Sequence, residues 1–584
     1  MKSMKKRLFF ASVIATLALS LTACSTVQAN KVSNGVSASQ QIEDWKPYDE
    51  KGEMIREGRD AYGENGVVSS AHYEATKVGV DIIKKGGNAI DAAVAVGFAL
   101  SACEPYYSGI GGGGFMTIRF AKTGEVVFLD FREYAPEISD ENTWPKDENG
   151  EYVKYANMIG GPSIAVPGEI KGLLYALKKY GTMTREDVLD PAIKLAKDGF
   201  TVGPAFSETL KEYYNFYSEN PETMKVFYND GLPYEVGELY KNKDLARTLE
   251  IIKEKGEDGF YKGEIAKAIV ESAQAAGGTL SLKDLENYKI NVRKPVKGTY
   301  RGYEIISSPP SSSGGTHIIE ILNILENYDI GSLKVNSAEY IHLFSEAYKL
   351  SFADRAKYMG DTAFLEVPLS GLTNKEYAKQ LSKKINLNKA LTYEAGNPWI
   401  YESKNTTHYS IMDKEGNMVA VTKSINYGSG ITAKGTGIML NNTMADFDTG
   451  AGKANSIEPN KIPLSSMSPT LVLKDNKPFM VIGSPGGTRI ITTVAQVISK
   501  VIDHKMDIQE AIDSPRFFDG YGEIKLESRI GKNEREKLEK MGHKVTATMD
   551  WDRYYGGVHG VIIEKNGKLR GGADPRRDGK ALGF

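Results

Sequence analysis

The stretch Asn405-Thr406-Thr407-His408-Tyr409-Ser410 stands where the texture of the chain changes. Before it, residues 389–405 are polar and irregular, with Gly396, Asn397 and Pro398. After it, Thr406–Met412, the turn Asp413–Asn417 and Val419–Ser424 read as a β-hairpin, with β-branched and apolar runs on either side of a polar turn. Composition alone makes Thr406 a strand start, because threonine favours strands. Chemistry adds a second reading. A threonine hydroxyl is a weak nucleophile unless a base sits beside it. A cut before Thr406 would free an α-amino group able to act as that base. Such an amine titrates near about 7.7–8.0, so part of it is neutral at physiological pH. A strand end also holds a nucleophile more rigidly than a loop does.

Downstream, Leu471–Leu473 and Phe479–Ile482 read as a second hairpin. Gly483-Ser484-Pro485-Gly486-Gly487-Thr488 follows, before a helix that begins near Arg489. Backbone N–H groups at a helix start attract anions. Two glycines let an oxyanion approach those donors closely. No Gly-Lys-Ser/Thr follows, so this is not a P-loop. Upstream, Glu74–Lys85 reads as a helix stopped by Gly86-Gly87. Asp91–Ala102 is apolar on all sides, the mark of a helix inside a large core. Gly111 to Gly114 lead into strands at Phe115–Phe120 and Val126–Phe131. Residues 165–285 and 317–388 are mostly helical in pattern, with a strand at Thr299–Ile306 between them. Strands flanked by helical regions predict helices covering sheets.

The chain has 584 residues, 41% hydrophobic and 25% charged, which excludes disorder or a fibrous repeat as a whole-chain reading. Basic and acidic residues number 73 and 75, for a net charge of −2. That balance lacks the basic excess of a nucleic-acid binder, so no nucleic-acid partner is expected. Two cysteines and seven scattered histidines offer neither a disulfide framework nor metal-ligand spacing, so no metal is expected. At the N-terminus, Lys2, Lys5, Lys6 and Arg7 precede a mostly apolar run, Leu8 to Leu21. The run is too short to span a membrane, which takes about 20 residues, but suits a signal peptide. It ends in Leu21-Thr22-Ala23-Cys24, which resembles a bacterial lipobox. Lipid on Cys24 would anchor the exported protein to the outer face of the bacterial cell membrane. Cleavage after Val27-Gln28-Ala29 would leave it secreted instead. Cys103 follows an apolar stretch and reads as a buried thiol.

Taken together, Thr406-Thr407-His408-Tyr409-Ser410, Pro463-Leu464-Ser465-Ser466-Met467-Ser468-Pro469-Thr470 and Gly483-Ser484-Pro485-Gly486-Gly487 resemble the γ-glutamyltransferase (γ-glutamyltranspeptidase) family. Gly86-Gly87-Asn88-Ala89-Ile90-Asp91-Ala92-Ala93, Gly111 to Met116, Leu129-Asp130-Phe131-Arg132-Glu133 and Asp574-Pro575-Arg576-Arg577-Asp578-Gly579 agree with it, in order, over residues 66–584. The resemblance implies an α/β (α+β) fold, a four-layer αββα sandwich of the N-terminal-nucleophile (Ntn) hydrolase type. Two fragments of one precursor would build it. The N-terminal pattern reads as a signal peptide over 1–23 followed by a polar tether over 24–65, and the resemblance implies a large subunit over 66–405 and a small subunit over 406–584. Self-cleavage would fall between Asn405 and Thr406. Thr406 would be the nucleophile and its own amine the base. Gly486 and Gly487 would form the oxyanion hole, and Ser424 would assist self-cleavage. Arg132, Ser465 and Ser466 would hold the α-carboxylate of the γ-glutamyl group. Asp446 would hold its α-ammonium, and Asn426 would help place it.

Glutathione and related γ-glutamyl compounds would be donors, and water, amino acids or peptides acceptors, with no metal or organic cofactor. The family pattern is altered at Thr443 and Ala445, which replace a longer polar side chain and an acidic one. Asp448 is the nearest carboxylate that could compensate. The stretch Phe447 to Pro459 is also short where some relatives carry a longer lid, which fits a more open site. Three other readings are compatible with parts of the pattern. One is a poly-γ-glutamate depolymerase or transpeptidase of the same family. Another is a cephalosporin acylase, against which the Arg132/Asp446 pair argues. A solute-binding lipoprotein would need no cut at Thr406.

Overall fold

The computed structural model describes residues 45–394, 406–520 and 522–584. Cys24 and Asn405, and with them the lipobox and one side of the expected cut, lie outside the described residues. Two seven-stranded sheets position everything that follows. The first runs in the order Lys580–Gly583, Gly66–Ser70, Thr407–Asp413, Met418–Ser424, Gly113–Arg119, Val126–Phe131, Asn291–Arg293, with every neighbouring pair antiparallel. The second runs Ala61–Gly63, Leu569–Ala573, His559–Ile563, Lys477–Gly483, Thr470–Lys474, Tyr303–Ser307, Val296–Tyr300, again antiparallel throughout.

The sheets face one another across an apolar layer that includes Met412, Met418, Leu471, Val481 and Val561. Hydroxyls stitch its polar edges. Ser410 Oγ donates to His559 O at 3.0 Å, Ser69 Oγ to Gly572 O at 2.6 Å, and Thr117 Oγ1 to Pro469 O at 2.8 Å. Each donor reaches across to a backbone carbonyl of the facing layer, so no hydroxyl among these three is buried without a partner.

Helices close both outer faces. Ala89–Cys103 is buried along its whole length, as its all-round apolar pattern requires. Its start is fixed by a capping box: Asn88 Oδ1 accepts the Asp91 N–H at 2.9 Å while the Asp91 carboxylate accepts the Asn88 N–H at 2.9 Å. The helix bonds to the first sheet through Tyr409 Oη to Ala93 O, 3.0 Å, and Lys423 Nζ to Gly97 O, 2.8 Å. On the other side, Gly314–Leu325 and Arg489–Ile502 are equally buried and share one core with the second sheet. The architecture is thus αββα. Cys103 is a buried thiol.

Two sequence expectations need correction. The composition predicts a tether over 24–65, but residues from 46 onward belong to the folded unit. Arg59 is fully buried and donates to the carbonyls of Arg577, at 2.7 Å, and Gly579, at 2.5 Å, and Ala61–Gly63 forms an edge strand. A polar composition hid this, because the anchoring is through charge and backbone rather than apolar burial. The single strand at Thr299–Ile306 is instead a hairpin, Val296–Tyr300 and Tyr303–Ser307. Arg301 and Gly302 both take positive φ, 51° and 79°, which is the two-residue turn that matches strand twist.

Candidate active site

Thr406 stands one residue before Thr407–Asp413, where Thr407 lies opposite Lys423. That register brings Thr406 beside Ser424. Thr406 Oγ1 donates to Ser424 Oγ at 3.3 Å, and Ser424 Oγ accepts the Asn426 N–H at 2.8 Å. The backbone of Ser424 is approached so closely by the glycine run that a Cβ on Gly112 would lie 2.1 Å from the Ser424 carbonyl oxygen. Packing at that distance, rather than turn geometry, accounts for a glycine there.

Thr406, Ser424, Asn426, Arg132, Asp446, Ser465, Ser466 and Gly487 all line one cleft. Gly486 is not among its lining residues; it sits behind Gly487, where a Cβ would lie 3.1 Å from Gly556 Cα. Both glycines have positive φ, 128° and 57°. Their carbonyls accept the N–H groups of Arg489 and Ile490 at 3.2 and 3.0 Å, so the pair forms the entry to the helix Arg489–Ile502. With those two N–H groups taken, the N–H groups of Gly486 and Gly487 are the ones that precede the helix without a partner inside it. This is the geometry that receives an oxyanion.

The cleft carries both signs of charge. Arg132 is buried and its guanidinium bonds Asp446 Oδ2 directly. It also reaches Glu133 Oε2 at 3.4 Å, while its Nε has no hydrogen-bond partner among the described residues. Burial pushes the Asp446 carboxyl up, and Arg132 opposes that shift. Burial also raises Asp448, another residue of the cleft wall. Ser465 Oγ accepts the Met467 N–H at 3.1 Å, and Ser466 Oγ accepts from Arg355 Nη2 at 3.2 Å. Paired guanidinium and carboxylate groups in one cleft complement a zwitterion, with each end of the ligand replacing part of the internal pairing.

The sequence profile described as Gamma-glutamyltranspeptidase matches residues 75–584. The chain belongs to the γ-glutamyltranspeptidase family. It is 43% identical over 529 residues to the "Glutathione hydrolase proenzyme" of Escherichia coli (strain K12), covering 88% of this chain and 90% of that one. It is 39% identical to the "Glutathione hydrolase proenzyme" of Bacillus subtilis (strain 168), covering 89% and 92%. Among solved structures it resembles the cephalosporin acylase from Bacillus halodurans with a TM-score of 0.82 at 28% identity, over 91% of this chain and 98% of that one. As a γ-glutamyltranspeptidase family member the chain is an enzyme, and its αββα sandwich is that of an Ntn hydrolase.

Some cleft residues of this family member were not singled out by sequence. Arg355 comes from the long helix Ala338–Tyr358 and binds Ser313 Oγ at 2.8 Å as well as Ser466. Its signal was there to find: Phe344, Tyr348, Phe352 and Arg355 follow one helical stripe, and a charge on a buried stripe needs a partner. Glu133 is fully buried, which excludes the surface ion pair that a neighbouring Arg and Glu would otherwise indicate. It also explains Thr443. The Thr443 hydroxyl donates to Glu133 Oε1 at 2.9 Å, so this departure from the family pattern supports the base of the cleft. Ala445 is buried and not part of the cleft lining, whereas Asp448 is.

Burial raises the Glu133 pKa from 4.5 to about 7, with Arg132 opposing. A raised carboxyl binds its proton more tightly in the folded state. Its contribution to stability is therefore full below about pH 4.5 and is lost as pH rises through about 7. Glu133→Gln should remove that dependence. Urea midpoints at pH 4.5 and pH 8 should show the variant gaining about 1–3 kcal/mol relative to the unsubstituted protein across the interval.

Proposed function

We propose that this enzyme cleaves the γ-glutamyl amide of glutathione or a related compound and passes the acyl group to water, an amino acid or a short peptide. The observation that carries this reading is the placement of the Thr406 hydroxyl, the Gly487 turn and the Arg132/Asp446 pair around one cleft. Thr406 becomes competent when the chain cuts itself between Asn405 and Thr406, with Ser424 Oγ positioning the hydroxyl for that step. The freed amine then takes the Thr406 hydroxyl proton as its oxygen attacks the γ-carbonyl. Gly486 and Gly487 N–H groups receive the oxyanion. The amine product departs with the proton, and a γ-glutamyl ester remains on Thr406. Water or an acceptor amine resolves it by the same route in reverse. Arg132, with Ser465 and Ser466, holds the α-carboxylate; Asp446 and Asn426 hold the α-ammonium.

In this reading the large fragment runs up to residue 405, with residues from 46 onward in the folded unit, and the small fragment begins at Thr406. In the same reading, lipid on Cys24 would hold the exported protein on the outer face of the cell membrane, where it would meet γ-glutamyl compounds outside the cell. The test is substrate discrimination. Glutathione should be turned over with release of cysteinylglycine, while the α-glutamyl isomer, whose α-carboxylate is tied up in the amide, should react at least about 100-fold more slowly, the loss of one charge-assisted contact or more. Equal turnover of both, or preference for a bulky acyl side chain without an α-amino acid end, would overturn the assignment.

A further inference from the structure

No histidine pair is close in sequence, yet folding brings His342 and His543 together across 201 residues. His342 and Glu346 are one turn apart on the helix Ala338–Tyr358, so they share a face. His543 approaches from the start of the strand Lys544–Thr548. Possible ligand atoms of His342, Glu346 and His543 all lie within 4.8 Å of one another, and all three residues are buried. His342 Nδ1 and His543 Nε2 face each other at 2.7 Å.

The outward nitrogens of both rings face oxygens. His342 Nε2 lies 2.7 Å from the Asn386 carbonyl oxygen, which fixes its proton there and leaves Nδ1 as an acceptor. His543 Nδ1 lies 4.0 Å from Asp519 Oδ2. Each imidazole thus turns its far nitrogen toward an oxygen and its near nitrogen toward the other ring and Glu346. Metal-binding histidines are oriented in this way, by a carbonyl or a carboxylate behind the ring.

We infer that His342 Nδ1, His543 Nε2 and the Glu346 carboxylate form a binding site for a borderline divalent cation of the Zn2+ type. Two imidazoles and one carboxylate are a zinc-like donor set, and a water completes a tetrahedron. Coordination requires the His543 proton to move from Nε2 to Nδ1, the nitrogen that Asp519 faces. Lys349 Nζ lies 2.5 Å from Glu346 Oε1 and neutralises it in the metal-free state. It also donates to Leu391 O at 2.6 Å, a bond it can keep when the cation takes over the carboxylate.

The site has a structural consequence. Glu346 Oε2 accepts the Tyr393 hydroxyl at 2.8 Å, and His342 holds Asn386. The cation would therefore fasten the segment 386–393, the last described stretch before the link to Thr406. Its role is to secure that end of the large fragment, apart from the chemistry in the cleft, and it does not depend on which donor the enzyme uses.

The experiment is a Co2+ titration of the purified, chelator-treated protein, followed by displacement with Zn2+. The result expected is a visible absorption spectrum of tetrahedral type that saturates at one equivalent and is abolished by Zn2+. Asp519→Asn should weaken binding by about 10–100-fold, as for other groups behind a ligating histidine. His543→Gln should abolish the spectrum while turnover in the cleft continues, which shows that the variant is folded. A wild-type titration with no saturable spectrum would overturn the inference without reference to any variant. So would an unchanged spectrum in His543→Gln.

Discussion

Thr406→Ala should yield a single uncut chain with no measurable turnover. The hydroxyl of Thr406 serves twice in the proposed scheme. It attacks the preceding carbonyl during maturation, then the donor carbonyl in every cycle. Alanine removes both steps, so the loss should equal that of deleting a catalytic nucleophile, at least about 10^4-fold. The fold should survive. Thr406 Oγ1 makes a 3.3 Å bond to Ser424, whose own hydroxyl still accepts the Asn426 N–H at 2.8 Å in the variant. Thr406→Ser keeps the hydroxyl and should still mature, more slowly, because serine lacks the methyl group that restricts χ1. Electrophoresis over several days and a glutathione assay check both variants. A Thr406→Ala protein that matured and turned over would remove Thr406 from the mechanism.

Arg132 carries the second large effect. Arg132→Lys keeps the charge but loses the planar fork that addresses a carboxylate from two directions. One charge-assisted hydrogen bond is worth about 1.5–3 kcal/mol, so kcat/KM should fall about 10–150-fold. Arg132→Ala is more severe. It leaves Asp446 and the fully buried Glu133 without their shared cation. Removing one partner of a buried pair typically costs about 3–5 kcal/mol of stability. Lys should therefore separate recognition from folding: its melting temperature stays near the unsubstituted value while its donor KM rises. If Arg132→Lys left KM unchanged, the guanidinium would be part of the scaffold only.

Thr406 stood out through the resemblance of its motif to the family; by itself the change of texture there, where a polar, irregular run ends and a hairpin begins, reads only as a strand start. The hairpin also set its neighbour. Pairing Thr407 with Lys423 places Thr406 against Ser424, so register alone predicts that contact. The layers were readable from Ala89–Cys103, whose apolar residues leave no face for water. Other features were hidden for physical reasons. Arg301-Gly302 sits between two β-rich runs, and the turn costs only two residues, so the pattern passes for one strand. Glu133 looks like a surface partner of Arg132 until burial is known. Arg355 is one of three Lys or Arg residues on a 21-residue helix, and its serine partners Ser313 and Ser466 are distant in sequence. His342 and His543 meet only through tertiary packing, which no spacing rule detects.

One measurement bears most directly on the account: the intact masses of the purified chains, with N-terminal sequencing of the smaller one. Two chains are expected, the smaller beginning Thr406-Thr407-His408. A single chain that turns over donor at full rate, or a fragment that starts elsewhere, would contradict it.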